Sequence, residues 1–106
     1  MVKTKMYILV PDDLPPGYEM VAVAHASLQC YLAYKNTPNM IGWLSTSFRK
    51  VVCKVTREEL ETSQLGCPDS MVTTESSLGN KEVAISFCPR PTEEWPEKFK
   101  YYPLWR

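Results

Sequence analysis

The chain has 106 residues, of which 44% are hydrophobic and 23% charged; this is the usage of an ordinary globular protein and excludes disordered, collagenous and membrane chains. One compact domain over residues 1–106 is expected, with no room for a second core. Twelve Lys and Arg balance twelve Asp and Glu, so no overall field draws the protein to nucleic acid or an acidic membrane, and any RNA contact must come from a local patch.

Lys5 to Val10 is an aliphatic, alternating stretch that predicts a first, central strand closed by Pro11, where the backbone donor disappears. The run from Met6 to Val10 is too short for a signal-peptide core or a membrane span. After the turn-rich stretch from Pro11 to Gly17, apolar residues at Met20, Val21, Ala24, Leu28, Tyr31 and Leu32 predict a main helix over Glu19–Lys35. Asn36-Thr37-Pro38 stops it and starts a short second helix, with Thr37 as N-cap and Pro38 in the first helical position. Phe48 to Val55 reads as a second strand, and Thr56-Arg57-Glu58-Glu59 has the capping-box spacing of a short third helix running to about Gln64. Gly66 and Pro68 break that helix. Met71–Glu75 and Glu82–Cys88 then form two strands of a hairpin. From about residue 92 an aromatic tail carries Trp95, Phe99, Tyr101, Tyr102 and Trp105. The order predicts an α/β fold in three layers, a four-stranded mixed β-sheet with flanking helices.

The four cysteines form no C-x-x-C pair and the chain has a single histidine, which points to free thiols in a reducing cytoplasm rather than to zinc. Four glycines, none in a Gly-x-Gly or Walker arrangement, supply no phosphate-cradling loop, so no cofactor and no metal are expected. Asp12 and Asp13, flanked by prolines, read as turn formers.

Five motifs in collinear order resemble the type II (archaeal and eukaryotic) peptidyl-tRNA hydrolases. They are Lys5-Met6 opening the first strand, Asp13-Leu14 in the turn, the helical run to His25-Ala26, Thr37-Pro38-Asn39-Met40-Ile41, and Lys50-Val51-Val52-Cys53-Lys54 followed by Glu58-Glu59; Leu65-Gly66 adds to them. The resemblance runs from about residue 5 to 89 and implies that family's fold and hydrolysis of the ester between a peptide and the 3′ ribose of its tRNA. It also marks departures. The family's helix opens with Gly-Lys-Gly-Lys, whose second lysine is implicated in catalysis, where this chain has Gly17-Tyr18-Glu19-Met20, and a family glutamine is replaced by Ala22. The family's Asp and Thr loop falls near Thr74 to Leu78, where Glu75 and Ser76 or Ser77 stand in. Lys3, Lys5 or Lys81 is a candidate for a relocated lysine.

The candidate catalytic residues are therefore His25, Glu75, Ser76 and Ser77. His25 is the only imidazole and so the only base with a pKa near neutrality. A second reading makes it a core residue, because Val21, Leu28 and Leu32 share its helical face. By themselves Glu75, Ser76 and Ser77 read first as a polar hairpin loop in water, which needs no function. Lys3, Lys5, Arg49, Lys50 and Lys54 are the candidate RNA-binding residues along one sheet edge, with Lys50, Val52 and Lys54 on one face. Lysines that discourage strand pairing would look the same. The aromatic tail either stacks bases or closes the core. Two functions follow: a divergent peptidyl-tRNA hydrolase with tRNA or other RNA as partner, or a catalytically degenerate module of the same fold that binds RNA or a protein.

Overall fold

The computed structural model describes residues 3–105. Strand β1 (Thr4–Pro11) leads through a turn to helix α1 (Tyr18–Tyr34), then α2 (Pro38–Ser45), β2 (Arg49–Val55), α3 (Arg57–Thr62), β3 (Ser70–Glu75), β4 (Lys81–Phe87) and the two-residue β5 (Arg90–Pro91). The sheet order is β2-β1-β4-β3, so β1 is central as its apolar run predicts, parallel to β2 and antiparallel to β4. The sheet has five strands rather than four. The fifth forms because Arg90 and Pro91 pair with Lys5 and Thr4 at the start of β1, a pairing too short to leave an alternating pattern in sequence.

Both helix starts follow their capping chemistry. Thr37 caps α2 through its hydroxyl, which accepts from the Met40 amide, with Pro38 behind it. At α3 the Thr56 hydroxyl accepts from the Glu59 amide, and Glu59 Oε1 accepts from the Thr56 amide at 2.8 Å, a complete capping box. Strand β2 begins one residue later than expected because Phe48 takes a left-handed φ of 50°, which breaks the extended run for a bulky residue.

Two cores sandwich the sheet. On one face Met6, Ile8 and Val10 pack under Ala22, Ala26 and Cys30 of α1 and Met40 and Trp43 of α2. The other face is closed by α3 and the tail: Tyr7, Phe87, Trp95 and Phe99 interlock edge to face, with the Tyr7 and Trp95 centroids 4.7 Å apart and those of Phe87 and Phe99 5.0 Å apart. The tail then turns round the sheet edge and pairs with β2. There the Lys54 amide donates to Pro103 O and the Trp105 amide to Val52 O. Trp95 and Phe99 therefore serve the core, whereas Tyr101 is exposed.

Helix α1 buries a different face from the one expected. Small residues, Ala22, Ala26 and Cys30, meet the sheet, while Val21, Leu28 and Leu32 are 46%, 59% and 56% exposed. The reading of His25 as a core residue is corrected with them: it sits on the exposed side of the helix. Close approach of α1 to the sheet selects the small side chains, so the apolar stripe at helical spacing is not the buried one.

Candidate active site

At one end of the sheet the loop after β1, the first turn of α1 and the β3–β4 hairpin meet. Gly17 is the N-cap of α1 with φ 89°, a left-handed conformation that favours glycine, and α1's first turn carries no side-chain cap. The Gly17 amide donates to Glu19 Oε1 and the Tyr18 amide to Pro15 O, so only the remaining amides of the first turn leave the positive end of the helix dipole available to a negative group. The hairpin reverses through a 3₁₀ turn at Ser76–Leu78, with Gly79 and Asn80 at φ 68° and 62°.

A hydrogen-bonded chain joins these elements. Glu75 Oε2 accepts from the Ser77 amide at 3.2 Å and the Ser77 hydroxyl at 2.9 Å. The Ser77 oxygen lies 3.2 Å from the Tyr18 hydroxyl at the start of α1. With the Ser77 proton directed to Glu75, the Tyr18 hydroxyl is the donor of that second bond. These Ser77 bonds, and beyond them the charge of His25, hold the Glu75 carboxyl below its ordinary value of 4.5. His25 is exposed on α1, one helical turn before Gln29. Gln29 Oε1 accepts from the Thr73 hydroxyl at 2.6 Å.

A second cluster supports the first. Asp13 receives a two-pronged bond from Arg57, Nη2 to Oδ1 at 2.7 Å and Nε to Oδ2 at 3.0 Å, while Arg57 Nη1 also donates to Glu82 O. Lys81, opposite Glu75 in the β3–β4 ladder, lies 3.6 Å from Asp13 Oδ1. The Arg57 bond above all holds the Asp13 carboxyl below its ordinary 3.8. Of the candidate relocated lysines, Lys81 is therefore the one at this end of the sheet.

Hydrogen bonds join Glu75 and Ser77, while His25 stands exposed on α1 with no hydrogen bond to either among the described residues, and Ser76 is exposed on the turn, where its hydroxyl makes no hydrogen bond among those residues. The basic set divides. Lys3, Lys5 and Arg49 mark the start of β1 and β2, roughly 20 Å of strand away from the hairpin. Lys5 lies over the Tyr7 ring on the tail face. Lys50 and Lys54 lie on the α1 face with Val52, as strand alternation requires, their ammonium groups over Phe48 and Trp105; burial pushes the Lys50 pKa down. Tyr18 was not singled out by sequence reasoning. Its signal is its place directly after Gly17, where a lysine follows glycine in the family's Gly-Lys stretch, but only the fold shows what the hydroxyl meets.

Among the described residues no group of three or more His, Cys, Asp and Glu side chains gathers to hold a metal, and no helix is long and apolar enough to cross a membrane. No curated protein matches the chain. Residues 4–86, more than three quarters of the sequence, match the family model described as Peptidyl-tRNA hydrolase PTH2. That stretch contains β1, α1 and nearly all of the β3–β4 hairpin, the elements on which Tyr18, His25, Glu75 and Ser77 stand, while the aromatic tail lies outside it. The fold and the collinear motifs agree with the match: the chain belongs to the PTH2 family of peptidyl-tRNA hydrolases.

Proposed function

We propose that the protein is a divergent hydrolase of peptidyl-tRNA or a related carboxylic ester, working in a reducing cytoplasm. The observation that supports this reading most is the exposed His25 on α1, between the Tyr18–Ser77 and Gln29–Thr73 contacts that tie the helix to the hairpin, where Ser77 in turn holds the Glu75 carboxylate. His25 acts as general base, taking a proton from the attacking water, and the ionised Glu75 steadies the imidazolium that forms. Negative charge developing on the carbonyl oxygen meets the uncapped first turn of α1, with the Tyr18 hydroxyl as a neighbouring donor. Ser77 is the positioning residue between them, and Ser76 completes the polar turn. Lys3, Lys5, Arg49, Lys50 and Lys54 are the candidate contacts to the phosphate backbone, with Lys54 the nearest of them along its strand to the catalytic end.

A second reading, a non-catalytic module binding RNA or protein through the same region, is favoured by one observation: Asp13 already pairs with Lys81, the lysine nearest the site. Release of free tRNA from an N-acetylated aminoacyl-tRNA separates the two. Turnover by the wild type, reduced in Glu75→Gln and Ser77→Ala, supports the hydrolase. Its absence in folded wild type at high concentration leaves the binding module.

A further inference from the structure

The twelve acidic residues are unevenly placed. From Met20 to Val55 there is none, while the same stretch holds Lys35, Arg49, Lys50 and Lys54; at the chain's average, about four acids would fall there. This stretch supplies nearly all of α1, the whole of α2 and the whole of β2. The zero net charge thus conceals a segregation along the chain, in which the α1, α2 and β2 segments lean basic and the α3, hairpin and tail segments carry most of the acids; on β2, Lys50 and Lys54 stand on the α1 face and Arg49 on the opposite one beside Lys5.

Two hollows lie on the α1 face, between α1 and β2. One, of about 470 Å³, is bounded by Glu19, Met20, Val23, Val52 and Trp105. The other, of about 220 Å³, includes Leu28, Tyr31, Leu44, Phe48 and Lys50. Each has an aromatic ring under an ammonium group: Lys54 lies 4.9 Å from the Trp105 centroid and Lys50 3.4 Å from that of Phe48. The two lysines are four residues apart on one strand face, about 13 Å. Phe48 is 54% exposed at a positive φ, a conformation costly for a bulky residue, and its ring rests 5.1 Å from the buried Trp43, whose indole nitrogen donates to Arg49 O at 2.8 Å. The backbone therefore holds an aromatic ring out in solvent on a rigid support. Glu19, the one acid at the rim, is occupied by the Gly17 amide.

We infer that the cleft between α1 and β2 is a docking surface for single-stranded RNA, with Phe48 and Trp105 as stacking platforms and Lys50 and Lys54 as phosphate contacts. An incoming base takes the ring face that the ammonium covers, and the freed ammonium swings to the adjoining phosphate, so one pair of side chains serves base and backbone in turn. Glu19 is the one acid among the residues lining the cleft, so the repulsion a polyanion meets there is confined to the α1 end of the first hollow. This inference rests on the phosphate contacts proposed above for Lys50 and Lys54 but does not require catalysis: RNA binding at the cleft without ester turnover contradicts the hydrolase alone, and ester turnover without binding at the cleft contradicts this inference alone.

The test is fluorescence anisotropy of labelled A6 and U6 RNA with the whole chain at two salt concentrations. Both oligomers are expected to bind, with affinity falling as salt rises. Phe48→Ala should weaken binding roughly tenfold, the loss of one stacked base. Lys54→Gln, an exposed change with no effect on folding, should lower the salt dependence. A blunt RNA duplex binding as tightly, and indifferent to Phe48→Ala, would overturn the inference in favour of a phosphate patch. Absence of binding by any RNA would overturn it too, as would self-association of the protein lost in Phe48→Ala, which assigns the surface to a second copy of the chain.

Discussion

At the scale of single residues, the site depends on a few hydroxyl and carboxylate contacts, each with its own expected signature. Tyr18→Phe removes the donor to Ser77 without altering the ring and should lower turnover roughly five- to tenfold, the worth of one hydrogen bond, with an unchanged circular dichroism spectrum as the control. Asp13 gives a pH signature. Its carboxyl is held below 3.8 chiefly by Arg57, so the folded state binds that proton less readily than the unfolded chain. The stabilisation is therefore complete above about pH 4 and is lost as pH falls through the lower, folded value. Thermal unfolding followed from pH 5 to pH 2 should show this acid loss in the wild type and less of it in Arg57→Gln. Glu75 titrates with the same sign. At this scale the sequence offered His25 as its single imidazole, and Glu75 and Ser77 through the resemblance of their turn to the family's loop; the Glu75–Ser77 bonds are local to that turn. Tyr18 and the Asp13–Arg57 fork were not legible, because they join segments 59 and 44 positions apart.

Elements form where local chemistry agrees with position, and the caps show how far that goes. Thr56→Ala breaks both halves of the capping box at α3 and should cost about 1 kcal/mol, measurable as a shift in the urea midpoint with unchanged slope. The capping signals, the central apolar run and the β3–β4 hairpin were legible because they are local patterns of spacing and donor satisfaction. The buried face of α1 was not. Its hydrophobic stripe through Val21, Leu28 and Leu32 obeys the helical period, but the sheet accepts only Ala22, Ala26 and Cys30 at its surface. Size complementarity between two elements decides that, and no single element carries the information. Phe48 is a similar case: its positive φ shortens β2 by a residue for reasons that belong to its contact with Trp43.

Considered whole, the molecule is a family fold with its second face closed by a segment beyond the family match. Tyr7, Phe87, Trp95 and Phe99 form one aromatic cluster, so Phe99→Ala should destabilise by about 3–5 kcal/mol, read by chemical denaturation, and a chain cut after Cys88 should lose its cooperative transition. The tail's aromatic content foretold a core role ahead of a stacking role. The structure gives the core role to Trp95 and Phe99 and places Trp105 at the cleft beside α1. For the molecule as a whole the proposed activity is ester hydrolysis by His25 and its neighbours. It is tested most directly by release of tRNA from N-acetylated aminoacyl-tRNA, comparing the wild type with His25→Ala at matched folding. Turnover should fall roughly a hundredfold or more in the variant, as removal of a general base requires; equal rates in the two proteins would show that His25 takes no part in the chemistry.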